Sequence, residues 1–121
     1  MSVPLQIPKI VKILQEKGEI SDELDYALMN YLLQHVGPGY TACKPQLVEL
    51  EDGKQAIKMG IDNTFIGKGN KIMGMGIVGT ILISLPEQDV LYCTSVAELE
   101  ANVEKMIQAG IEPQVRPRGK Y

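Results

Sequence analysis

Residues 71–85 read KIMGMGIVGTILISL, apolar enough for a core and too broken by glycine for a helix. With a period of two, Met73, Met75, Ile77, Ile81, Ile83 and Leu85 fall on one side, and Gly74, Gly76, Val78, Thr80 and Ser84 on the other. The spacing predicts a central strand with a nearly bare reverse face. Glycines gather inside a strand where it bulges, or where a backbone, helix or ligand comes too close for a side chain. What fills that bare stretch is therefore the main question the chain poses.

The remaining segments set the frame around this strand. Ile7, Ile10, Val11 and Leu14 fit one face of a short helix with Pro8 in its first turn and Gly18 after it. A second helix is announced by Ser21 and Asp22, carries Leu24, Leu28, Tyr31 and Leu32 as its buried stripe, and ends at Gly37-Pro38-Gly39. The two are expected to pack as a helical hairpin. From Gln46 the period changes to that of strands. Asp52-Gly53 predicts a two-residue hairpin that places Val48 and Leu50 on one face with Ile57, Met59 and Ile61. Gly67 to Asn70 reads as the next reversal, Pro86 to Asp89 as another, and Val90 to Thr94 as a fourth strand. Ser95 with Glu98 forms a capping box for a last helix, striped by Val96, Leu99, Val103, Met106 and Ile107 and closed by Gly110. The expected fold is α+β: an N-terminal helical hairpin, a four-stranded antiparallel meander, and a C-terminal helix on the Met and Ile face of the sheet. Residues 1–111 are read as a single α+β domain and 112–121 as a basic, flexible tail.

Charge and composition narrow the function classes. Through Ile111 there are 9 basic and 14 acidic residues, against 3 and 1 in the last ten. So acidic a body argues against general nucleic-acid binding, while Arg116 and Arg118 in the tail are candidates for an anionic partner. The longest uncharged apolar run, Ile72 to Leu85, is shorter than the roughly 20 residues that span a bilayer as a helix, and no secretory pattern opens the chain. A cytoplasmic protein with no membrane association is expected, and Cys43 and Cys93 are read as free thiols.

No spacing carries a catalytic or metal signature. His35 and Cys43, eight positions apart across a loop that contains Tyr40, hold a base and a thiol, yet a histidine at a helix C-terminus is explained by the helix dipole alone. His35, Cys43, Cys93 and one carboxylate would be a ligand set acceptable to zinc, but no CxxC pair, no HxxxH pair and no second histidine gives it metal-site spacing. Gly67-Lys68-Gly69-Asn70 leads into a strand, so it is a turn and no phosphate loop, and the GxGxxG spacing of Gly74, Gly76 and Gly79 opens no βαβ unit. No metal and no cofactor are expected. The reading that follows is a non-catalytic, self-associating interaction or regulatory module, most simply a homodimer through the flat glycine-bearing face, with a further protein partner allowed. The alternative is a small-molecule-binding or enzymatic domain with a pocket near the glycine-rich strand and the His35 to Cys43 loop. The residues singled out for ligand or partner contact are His35, Tyr40, Cys43, Gly74, Gly76, Arg116 and Arg118.

Overall fold

A computed structural model of the protein describes residues 9–16 and 20–116. In chain order these form β1 (Ile10–Glu16), α1 (Asp22–His35), β2 (Tyr40–Leu50), β3 (Gln55–Ile66), β4 (Ile72–Ser84), β5 (Val90–Cys93), α2 (Val96–Gln108) and β6 (Gln114–Val115). The architecture is α+β, with one curled antiparallel sheet in which β1 to β5 lie side by side in sequence order. Because β3 runs along one edge of β4, β5 and β6 share its other edge: β5 pairs at Ile81 to Ile83 and β6 at Met73 and Gly74.

The expected helical hairpin is absent from the described residues. Residues 10–16 are a strand, paired with β2 from Ile10 opposite Leu50 to Glu16 opposite Gln46. A run this short satisfies both periods, and the β-branched Ile10, Val11 and Ile13 favour the extended form once β2 offers an edge. Ile7, Pro8 and Gly18, which the helical reading also used, lie outside the described residues. The four expected strands are present as neighbours, but within a sheet that β1 and β6 extend to six. The helix announced by Ser21 forms: the Ser21 hydroxyl accepts from the Leu24 amide at 3.2 Å, and Leu24, Leu28 and Leu32 are buried.

The Asp52-Gly53 turn is one residue longer than expected. The Gly53 amide donates to the Leu50 carbonyl, the Leu50 amide donates to the Lys54 carbonyl, and Gly53 has φ +84°. This three-residue loop shifts the register by one, which turns every side chain of one strand to the opposite face. Val48 therefore opposes Ala56, and Leu47 opposes Ile57. Val48, Leu50, Ala56 and Leu82 form a second, smaller core with Ile10, Leu91 and Tyr92, while Ile57, Met59, Ile61, Ile81 and Ile83 meet both helices in the main one. The sheet is thus buried on both sides.

The bare stretch of β4 is filled by the chain itself. Relative to β3, β4 carries two extra residues, one between Gly79 and Ile77 and one between Ile77 and Gly74, so simple alternation fails there. Val78 joins Ile81 and Ile83 in the main core, and Ile77, expected beside them, is 40% exposed. A Cβ on Gly79 would lie 2.5 Å from Leu99 Cδ2 and 2.9 Å from Thr94 Cβ, and one on Gly76 would lie 3.3 Å from Met106 Cε. Helix α2 therefore packs over these glycines and the neighbouring isoleucines together. Asn102 Nδ2 donates to the Val78 carbonyl at 2.7 Å, capping the edge of β4 between β5 and β6. The flat face expected to meet a second subunit is occupied from within.

Gly76 has φ +128°, a conformation that side-chain-bearing residues rarely adopt. Gly76→Ala is expected to lower the unfolding free energy by about 1–3 kcal/mol in urea titrations. Because the strain lies in the backbone, trimming the neighbour with Met106→Ala should not restore it. Costs that simply add in the double variant fit a backbone origin, whereas recovered stability in it would show that side-chain crowding sets the cost.

Candidate functional site

Two features stand out, a buried charge cluster beneath β4 and an open groove at the end of the sheet. In the first, Asp62 on β3 is 2% exposed. Its Oδ2 accepts from Arg116 Nε at 2.9 Å, and its Oδ1 accepts from the Gly76 amide at 3.0 Å and from Arg116 Nη2 at 3.4 Å. A Cβ on Gly74 would collide with Arg116 Nε and stand 2.8 Å from Asp62 Oδ2, so the pair passes through the space that this glycine leaves. Arg116, expected in a flexible tail, is held further by its amide on the Ile72 carbonyl at 2.7 Å. Gly74, Gly76 and Arg116 thus converge on one carboxylate, and the whole arrangement is a structural clamp.

Cys43, buried on β2, lies in the field of the same charges. Burial and the Asp62 carboxylate push its thiol up to about 11, against weaker lowering by Lys44 and Arg116. It is protonated and shielded at neutral pH, the opposite of an activated nucleophile. His35 is exposed at the end of α1, with its ring 4.5 Å from that of Tyr31. Tyr40 is packed against the main core, and burial followed by the Glu100 charge raises its phenol above the usual range. The base and thiol considered from sequence therefore occupy different settings, one in solvent and one in the interior. Arg118 lies outside the described residues.

The groove has a volume of about 920 Å³ and is open on one side. From the α1 side it is lined by Ile20, Asp25 and Met29, and from the sheet by Met59, Phe65, Ile66 and Ile72. Its floor follows from the entry into β2. Gly39, at φ +91°, accepts at its carbonyl from the Thr64 amide at 2.8 Å and from Asn63 Nδ2 at 3.1 Å, which fastens the α1–β2 loop to β3. The Thr41 and Thr64 hydroxyls are bonded to each other at 2.9 Å. Lys44 at φ +56° marks a bulge in β2 that sets Pro45 into the wall. The loop between His35 and Cys43 thus contributes Pro38, Gly39, Thr41 and Ala42, but not His35, Tyr40 or Cys43 themselves.

No sequence pattern singles out Asp25 or Asp62 as a site residue. For Asp62 the one hint is its setting: it sits directly after the apolar alternation of Ile57, Met59 and Ile61, in a strand that continues to Ile66. Among the described residues no three or more His, Cys, Asp or Glu stand together as a metal site, and no helix is long and apolar enough to cross a membrane. Compared with protein-family models, curated proteins and solved structures, the chain matches none.

Two outcomes follow. Arg116→Met leaves the Asp62 carboxylate buried with only the Gly76 amide, and should cost about 2 kcal/mol, less than the ~3–5 of a fully buried pair because Arg116 is 24% exposed. Since the folded state holds the Cys43 proton from the ordinary thiol value of 9.0 up to about 11, that contribution to stability is intact below pH 9 and lost as pH rises through about 11. Urea titrations across this range should show the decline, and Cys43→Ala should make it shallower.

Proposed function

We propose that the protein is a small binding domain that holds an apolar small molecule in the groove between α1 and the far end of β3 and β4. The observation that carries this reading is the groove itself. Its volume of about 920 Å³ falls within the range of small-molecule sites, roughly 300–1,000 Å³. Its walls are mostly aliphatic and aromatic carbon, with few polar groups. Met29 and Met59 supply flexible, polarisable surface that adapts to shape. Phe65, Ile66 and Ile72 are 42%, 74% and 37% exposed, so an apolar occupant would remove hydrophobic surface from water that the fold leaves uncovered. Nothing in the reading requires the walls to perform chemistry.

The reading is tested with the uncharged fluorescent probe N-phenyl-1-naphthylamine. Saturable binding to the full chain is expected, and a Phe65→Ser, Ile66→Ser variant should bind about tenfold more weakly. Both side chains are exposed, so the fold should survive, which circular dichroism checks. Non-saturable fluorescence, or an unchanged dissociation constant in the variant, would count against the groove.

Self-association is a second reading, favoured by β1. Among the described residues this strand has no neighbour on its outer edge, and Val11 and Ile13 are 54% and 56% exposed. An apolar free edge of this kind pairs readily with a copy of itself. Light scattering at micromolar concentration should give a dimer mass that Val11→Lys with Ile13→Lys converts to a monomer. A monomer in the unaltered chain removes this reading.

A further inference from the structure

Resting on the groove as a small-molecule site, we infer that its occupant is an amphipathic cation, an apolar body carrying an amine head, with the head held by Asp25. Among the described residues that line the groove, Asp25 is the one charged side chain. It is partly buried, and among the described residues no hydrogen bond or ion pair engages its carboxylate.

The start of α1 does not need this carboxylate. Ser21 caps the helix through the Leu24 amide, Asp22 and Glu23 stand closer to the helix start, and the Asp25 amide is already bonded to the Ser21 carbonyl at 3.0 Å. A carboxylate at the wall of an apolar cavity keeps part of its hydration and loses screening on its dry side. There a cation gains more than it would in bulk water, and an anion is repelled. Glu23, exposed on the same turn, adds to the negative potential at this end. The opposing charges adjacent in sequence to wall residues are Lys44, Lys58 and Lys71, beside Pro45, Met59 and Ile72, and none of the three lines the groove. The field and the apolar walls therefore select one ligand chemistry together: carbon against Met59, Phe65 and Ile72, and a positive donor toward α1.

The test uses octylamine, octanol and octanoate, matched in their apolar part, each displacing N-phenyl-1-naphthylamine from the full chain at pH 7 and low salt. The amine is expected to displace at about tenfold lower concentration than the alcohol, with the carboxylate weakest. Asp25→Asn should bring the amine level with the alcohol and leave the alcohol unchanged. On the unaltered chain, raising salt to about 0.5 M should narrow the gap between amine and alcohol, since a partly exposed ion pair is screened. That arm does not depend on the variant folding. If all three bind alike, or if the amine keeps its advantage in Asp25→Asn, the assignment of the head group is wrong while the groove stands. If none displaces the probe and the probe itself does not saturate, the groove reading fails, and this inference fails with it.

Discussion

One buried carboxylate ties together the part of the fold where regular sheet geometry breaks down. Asp62 reaches from β3 under β4, where it meets the Gly76 amide and the Arg116 guanidinium. An ionised carboxylate this deeply enclosed is tolerated only when its oxygens are satisfied, and here β4 and the residue after β6 supply what it needs. Gly74 leaves the passage for Arg116, Gly76 turns its amide toward the acid through a positive φ, and β6 brings the arginine to the edge. Each feature is unfavourable alone: glycines weaken a strand, a bulge interrupts its ladder, and a two-residue strand has little stability. Together they satisfy one another.

The same irregularity shapes the surface. Where β4 bulges, α2 settles onto Gly76 and Gly79 and closes the sheet edge between β5 and β6 through Asn102. At the other end, beyond the clamp, β3 and β4 run on to Ile66 and Ile72, which no helix among the described residues covers, and the bulge at Lys44 carries Pro45 toward α1. The groove is the space left between a helix packed along one part of a curled sheet and the strands that outrun it. Its apolar lining is core-like material exposed because the core ends there.

What could be read from the residues was the part governed by local chemistry. Ser21 and Ser95 mark helix starts through hydroxyl caps, the stripes of α1 and α2 follow their period, and the glycines of β4 announce a close approach. What could not be read depended on counting across distant segments. A single extra residue in the Glu51 to Gly53 loop moved Val48 from one core to the other. Two extra residues in β4 placed Val78 and Gly79 on the side of Ile81, where strict alternation separates them. Residues 10–16 fitted two periods, and only the partner strand decided between them. The groove takes Pro38, Gly39, Thr41 and Ala42 from the loop before Cys43, but it is completed by Asp25, Met29 and Phe65, whose proximity no local pattern contains.

The account stands on the glycine stretch of β4 being sealed by Asp62, Arg116 and α2, and the amide of Gly76 reports on that seal directly. Hydrogen exchange followed by nuclear magnetic resonance should find this amide protected to nearly the same degree as those of the central strands, and its protection should fall sharply in Arg116→Met. Exchange of the Gly76 amide at the rate of an open chain in the unaltered protein would contradict the structure at the point on which the rest depends.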